Sequence, residues 1–377
     1  MNKNKKLVLL DAHAIIHRAY HGMPDFMTQS GIPTGAIYGF STMVLRIIDD
    51  FNPDYIVACY DLPGKTFRHE SYSDYKGTRS KTDEALKMQF PVTRDICDIF
   101  SIPIYDAPGF EADDVLGTIA EQLKDQDVDI IIASGDMDTL QLVDKKRVQV
   151  FTLKRGNDTV IYDEKAVIER FNFKPLSIID YKALRGDASD NIPGIRGIGD
   201  KAATLAITHF GTIEKMYAAL EKGEEKFLDI GLTKRMIALI KEGKEEAEFS
   251  KVLATIRTDA PVDFVLPKNN WKDSVDVEKA TEIFQKYELR TLSNRLHKSL
   301  GMEQEKTTEI EKPKELINPE KIKQTALALC LLDSDKTNAD EKDIMEYDND
   351  TSFDEASKKI FQALEQDIKS KEIYEYI

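Results

Sequence analysis

The sequence predicts an α/β fold: a parallel sheet covered by helices on both faces, followed by a mainly helical part. Three observations predict it. Apolar runs without alternation, such as LVLL at 7–10, suit strands buried on both faces. Stretches with helical spacing separate these runs, the order expected of strand–helix–strand units. Three of the runs end at or near an aspartate, and sheets of this kind carry their sites beyond the carboxyl ends of the strands.

LVLL leads into Asp11. GAIYGFSTMVLRIIDDF, from Gly35, has the apolar spacing of a helix. YIVACY, 55–60, reads as a second buried strand that runs into Asp61. Residues 62–94 are polar and mixed in charge. PVTRDICDIF, 91–100, reads as a helix. GFEADDVLGT, 109–118, starts another with Glu111, Asp113 and Asp114 in its first turn. DIIIASGD, 129–136, is a third strand that ends in a loop holding Asp136 and Asp138. From about residue 175 to about 300 the pattern is mostly helical. EQEKTTEIEKPKELINPE, within 301–320, has almost no apolar content and reads as a linker. Residues 321–377 regain helical patterning. The expected domains are therefore 1–174, 175–300, a linker at 301–320 and a tail at 321–377.

The 377 residues are 41% hydrophobic, which is ordinary for a globular chain. No apolar stretch nears the roughly 20 residues of a membrane span. MNKNKKLVLL lacks a small-residue cleavage site, so no signal peptide is expected. Three scattered cysteines form no metal-spaced set and suit a reducing, cytoplasmic setting. The net charge is −15, of which residues 301–377 hold −9 and residues 1–300 hold −6. If nine carboxylates in the first 300 residues belong to one metal site, the rest of that surface is about +3, so an acidic total is compatible with a cationic binding face.

Singly, the acids have ordinary explanations: Asp11 and Asp61 as helix caps, the Glu111 group as complement to a helix dipole, SGDMD and GDASDN as turns. Together they form a pattern. Glu111 and Asp114 share a helix face with Asp113 at the same end, and Asp136 and Asp138 lie two apart in a loop. Asp187 and Asp190 are three apart and are expected on one face. Nine oxygen donors without a His or Cys motif suit Mg²⁺ or Mn²⁺, and two such ions would suit attack on a phosphodiester.

Gly197–Ala202 satisfies G-x-G-x-x-A, but no strand precedes it, which argues against a dinucleotide site. IPGIRGIGDKAA, 192–203, reads better as the turn of a helix–hairpin–helix. Gly194, Gly197 and Gly199 would let a nucleic-acid phosphate approach, backbone N–H groups would hold it, and Lys201 would add charge. A plain glycine turn is the competing reading. Within 62–94, Lys65, Arg68, Lys76, Arg79, Lys81, Lys87 and Arg94 outnumber the acids by three, with Phe67, Tyr72 and Tyr75 among them. Cations interleaved with aromatics suit a single strand.

LLDAHAIIHRAYHG, GIPTGAIYGF, YDLPGKTFRHESYSDYKGTR, GFEADDVLGT, ASGDMDTLQLV and LRGDASDNIPGIRGIGDKAA occur in this order. Over about residues 6–300 the chain thereby resembles the 5′–3′ exonuclease (flap endonuclease) domain of bacterial DNA polymerase I. The resemblance implies a PIN-like α/β nuclease core, a helical arch at about 62–94 and a helix–three-turn–helix module that binds DNA. It implies two-metal-ion hydrolysis of DNA, and of RNA primers, near single-strand/duplex junctions in replication and repair. The metal ligands it implies are Asp11, Asp61, Glu111, Asp113, Asp114, Asp136, Asp138, Asp187 and Asp190. Lys76 and Arg79 are implied at the scissile phosphate, Tyr75 against the terminal base, and Arg18 on a phosphate; Lys65, Phe67 and Arg68 join the DNA-binding set. K⁺ on hairpin carbonyls is a further expectation. Expected partners are 5′-flap, nicked or gapped DNA and a DNA polymerase in cis or in trans. The protein is expected to be a monomer in the cytoplasm, at the nucleoid.

TALALCLLDSDKTNADEKDIMEY, from Thr325, resembles part of a DnaQ-like 3′–5′ exonuclease domain, but the leading Asp is Gln324. The tail is expected to be a small helical appendage without chemistry. The alternatives are a catalytically silent, structure-specific DNA binder, an RNA-processing PIN-type nuclease, and a dehalogenase-like phosphatase. The last wants D-x-D after its first strand, whereas Asp11 is followed by Ala12 and His13.

Overall fold

The computed structural model describes residues 4–79, 82–153, 159–302, 319–332, 343–344, 347 and 353–374. The chain divides into two units, Met1–Gln304 and Glu305–Ile377. The expected linker falls largely outside the described residues.

A six-stranded sheet centres the first unit. Its strands are β1 (Lys5–Asp11), β2 (Tyr55–Cys59), β3 (Ile104–Tyr105), β4 (Val128–Ala133), β5 (Val148–Leu153) and β6 (Thr159–Tyr162), in the order β3-β2-β1-β4-β5-β6. The first five are mutually parallel and β6 runs antiparallel to β5. The chain builds outward from β1 to one side, then from β4 to the other, so a topological switch point lies between β1 and β4. Register places Asp11 opposite Cys59 and Leu10 opposite Ala133, so all three strands finish at one level. This is the edge where an open parallel sheet accepts a ligand.

Alternate strand residues feed two cores, as the period of two demands. Leu7, Leu9, Val57, Ile130 and Ile132 meet helices Ala112–Gln122, Ser177–Arg185 and Asp200–Phe210 on one face. Val8, Leu10, Ile56, Ala58 and Ile131 meet helices Ala12–Gly22, Gly35–Phe51 and Phe90–Ile99 on the other. Trp271, Phe284, Leu292 and Leu296 belong to this second core. Helices Val277–Lys286 and Arg290–Ser299 therefore return to the α/β body, although the sequence grouped them with the hairpin module.

The hairpin itself joins helices Ser177–Arg185 and Asp200–Phe210. Gly194 has φ 59, and a Cβ there would meet the Gly186 nitrogen at 2.2 Å. Only glycine permits that backbone contact. A helix precedes the G-x-G-x-x-A run, consistent with setting the dinucleotide reading aside.

In the second unit, helices Pro319–Leu332 and Phe353–Tyr374 pack through Ala328, Leu329, Phe353, Ala356 and Ile360. Among the described residues, no helix is long and apolar enough to cross a membrane.

Candidate active site

Beyond the carboxyl ends of β1 and β4 lies a cavity of about 620 Å³. Asp11, Asp61, Glu111, Asp113 and Asp136 line it, together with His13, His17, His21, Lys76 and Arg79. Four chain segments thus deliver five of the nine expected acids to one space.

Hydrogen bonds position three of the five, Asp11, Asp61 and Asp136. Asp11 ends β1 and caps the helix Ala12–Gly22, its Oδ1 accepting from the Ala14 N–H at 3.1 Å. Its Oδ2 accepts from the Ser134 hydroxyl at 2.6 Å, which ties β1 to the end of β4. The ordinary capping explanation therefore holds for a residue that also lines the cavity. Asp61 caps no helix of its own; its Oδ1 accepts from the Ala112 N–H at 2.7 Å, at the start of the acidic helix. The Asp61 N–H donates to His13 Nδ1 at 3.1 Å, which leaves the proton of a neutral imidazole on Nε2. Burial lowers the His13 pKa and favours that neutral form. Asp136 caps the short helix Met137–Leu142 and receives the Asp138 N–H at 2.9 Å.

Asp11, Asp113 and Asp136 have no ion pair among the described residues. Burial, reinforced by Asp61 and Asp136, pushes Asp11 up to about 7. Burial, with Asp11 and Asp136, holds Asp113 well above the usual carboxylate range. Buried like charges without a counterion are costly, and an entering cation relieves them.

Glu111, Asp190, Asp138 and Asp187 already have cationic partners. Glu111 Oε1 accepts from Lys76 Nζ at 2.7 Å, and Asp190 Oδ1 accepts from Arg79 Nη2 at 2.5 Å. Lys76 has φ 55, a costly backbone state for a residue with a Cβ, and its N–H is held by the Asp190 carbonyl at 2.9 Å. Lys182 Nζ donates to both Asp138 Oδ1 and Asp187 Oδ2. Two carboxylates share this one ammonium. Asp187 is held down at about 2 against its burial by Lys182 and Ser189, while burial pushes Asp138 up to about 7.

Several expectations change. Asp114 is absent from the cavity wall: it is fully buried, with Oδ1 and Oδ2 each 2.8 Å from an Arg68 nitrogen. The N–H groups of Arg257 and Glu111 complete its shell at 2.8 and 3.0 Å. Arg68 is 2% exposed, and its other donors reach the carbonyls of Leu253 and Thr255 at 3.0 and 2.7 Å. A guanidinium spent in this way has no face for DNA. Tyr75 is 3% exposed, with its hydroxyl 3.1 Å from both Glu111 Oε2 and Asp190 Oδ2, so its ring is not available to a base in this arrangement. Asp187 and Asp190 do not share a helix face; Asp187 opens a tight turn closed by the Asp187–Ile192 bridge, Asp190 lies within that turn, and the two point to different partners. Gly194 is buried and its N–H donates to Ser250 Oγ at 2.9 Å, so it packs the hairpin rather than meeting a phosphate.

Gly197, Gly199, Lys201 and Lys65 are exposed, and Phe67 is half-buried under Arg68 and Arg257. Arg18 is half-buried beside Gly135, in the loop after β4. Lys81 lies outside the described residues. Sequence reasoning missed Lys182, Ser134 and the row His13, His17, His21. The four-residue spacing of the histidines was a usable signal for one helix face. Exposed Arg196, between two hairpin glycines, was also overlooked.

Among the described residues, no three His, Cys, Asp or Glu side chains close into a preformed metal cage. The five cavity acids nevertheless fit a hard divalent ion: all offer oxygen, Asp11 and Asp113 repel each other without an ion pair among the described residues, and the cavity has room for waters. Mg²⁺ in particular keeps several waters and takes only one or two carboxylates directly.

Residues 6–172 match the model of the "5'-3' exonuclease, N-terminal resolvase-like domain", and residues 173–276 match the "5'-3' exonuclease, C-terminal SAM fold". A 5'-3' exonuclease of Aquifex aeolicus is 35% identical over 295 residues, covering 78% of this chain and 96% of that protein. DNA polymerase I of Caldicellulosiruptor bescii is 36% identical over 293 residues, 77% of this chain but 33% of that protein. The chain thus spans about a third of the length of the DNA polymerase I relatives it matches. Phage T5 5'-exonuclease, solved with zinc, superposes with TM-score 0.53 at 20% identity, over 78% of this chain and 100% of that one; this likeness bears on the fold alone.

Proposed function

Because the chain belongs to the 5′–3′ exonuclease family, we propose that its cavity hydrolyses phosphodiester bonds of DNA, and of RNA primers, near single-strand/duplex junctions with Mg²⁺. One observation carries the proposal: five carboxylates and two cations face one cavity at the switch point of the sheet.

Asp11, Asp61, Glu111, Asp113 and Asp136 would hold the metal. When bound, two divalent ions would neutralise charge on the scissile phosphate and make a water nucleophilic. Lys76 and Arg79 sit on the same wall and are the groups that would take the phosphate oxygens as the strand enters. The side chain of Arg79 is 51% exposed, so it can swing from Asp190 toward a phosphate with little burial to undo. Gly197, Gly199 and Lys201 stand at the start of helix Asp200–Phe210, where N–H groups and the helix dipole favour a duplex phosphate. Such contacts read no sequence, which suits an enzyme that recognises a junction. K⁺ on hairpin carbonyls would serve the same anchoring; exchanging K⁺ for Na⁺ and measuring duplex affinity tests it.

A polymerase acting beside this nuclease is the partner we propose, on the strength of the DNA polymerase I relatives. Digestion of a labelled 5′-flap duplex tests the reading. Wild type with Mg²⁺ should release the flap as a 5′-phosphorylated product, and chelation should abolish release. Tight flap binding without product, in Mg²⁺ or Mn²⁺, would instead establish a silent binder.

A further inference from the structure

Lys182 has no part in the function as stated, yet it occupies a telling position. It lies on helix Ser177–Arg185 with its side chain 11% exposed, and its ammonium bridges Asp138 and Asp187. These carboxylates come from different elements, the short helix after β4 and the turn before the hairpin. Both were expected to hold metal. In the structure a lysine holds them together instead.

We propose that Lys182 is a positioning residue, a built-in monovalent cation that takes the place of a tightly bound divalent ion between Asp138 and Asp187 and so dictates the order in which metals load. The inference rests on the reading that the cavity acids take divalent cations. A divalent ion between Asp138 and Asp187 must first displace the ammonium, and a displaced ammonium in a largely buried site has lost both its water and its partners. Asp11, Asp113 and Asp136 impose no such displacement, since none has an ion pair among the described residues. The first ion therefore enters beside them. A second enters near Asp138 only when additional negative charge, such as a bound phosphodiester, offsets the ammonium. Asp187 keeps its position meanwhile, because its Oδ1 is separately held by the Ser189 N–H and hydroxyl at 2.9 and 2.6 Å.

The test is calorimetric titration of the whole protein with Ca²⁺, without DNA, alongside melting in EDTA and in Ca²⁺. Wild type should show one dominant site. Lys182→Met should gain a second, tightened at least about tenfold, a difference of about 1.4 kcal/mol. Its melting point should fall in EDTA and recover in Ca²⁺ by more than that of wild type. Lys182→Arg, which keeps the charge, should titrate like wild type. Lys182→Gln keeps a donor for one carboxylate and serves if the methionine variant does not fold; it should also gain the second site. If the neutral variants titrate like wild type, or melt lower by the same amount with and without Ca²⁺, Lys182 is a structural tie and the inference falls alone. If wild type binds no Ca²⁺ at all, the metal reading falls and takes this inference with it.

Discussion

Asp11, Asp113 and Asp136 face the cavity without an ion pair among the described residues, whereas Glu111, Asp190, Asp138 and Asp187 each hold a lysine or an arginine. The two groups are drawn from one acidic set and share the same end of the sheet. Their difference lies in the neighbouring elements. The first group is bordered by β1, β4 and a helix N-terminus; Lys76 and Arg79 line the same cavity and act on Asp113 and Asp136 through space, without an ion pair. The second is bordered by the 62–94 segment and the helix before the hairpin, which supply Lys76, Arg79 and Lys182. On the reading proposed above, charge without an ion pair marks where an external cation enters, and ion-paired charge marks where the fold supplies its own.

Substitutions on the two sides should separate most in turnover. Asp113→Asn should cost at least about 100-fold in flap cleavage, on the scale of losing one strong electrostatic contact to a transition state. Asp187→Asn should cost clearly less, and equal losses would erase the distinction. Arg68→Ala should cost about 3–5 kcal/mol of stability in denaturant melts, because it leaves Asp114 charged and buried. A loss of DNA affinity with unchanged stability would return Arg68 to the DNA-contact set. Lys76→Ala should lower kcat about 10-fold or more with little change in duplex affinity, since the ammonium faces the cavity. Parallel losses in both would remove it from the chemistry.

The smallest effect concerns pH. The folded pKa of Asp11, about 7, lies above its ordinary 3.8, with burial as the main cause. Ionising it costs the metal-free fold stability, a loss that develops as pH rises between those values and is complete above the folded pKa. Melting in EDTA should therefore drop more between about pH 5 and about pH 7.5 for wild type than for Asp11→Asn. Identical slopes would mean that Asp11 is not forced to ionise against its surroundings.

Much of this was legible in the sequence, for physical reasons. β1, β2 and β4 are buried on both faces and so read as continuous apolar runs. β3 has two residues, and β6 is an outer strand of four, too short to show a pattern. The acids announced themselves because strand ends and helix starts are recognisable locally. Which of their oxygens are already taken is decided by residues far along the chain. Arg68 finds Asp114 across 46 positions, and Lys182 finds Asp138 across 44. Composition could mark Arg68 as a cation among aromatics but could not reveal that Leu253 and Thr255 would close over it. The left-handed backbone of Lys76 was equally hidden, since nothing in YKGTR distinguishes a lysine at φ 55 from an ordinary one.

The most direct measurement is anomalous diffraction from crystals of the DNA-free protein soaked in dilute Mn²⁺. The expected result is a strong peak within reach of Asp11, Asp113 and Asp136, with Lys182 still bridging Asp138 and Asp187. A first peak between Asp138 and Asp187, with the lysine displaced, would contradict the division of the acids on which this account stands.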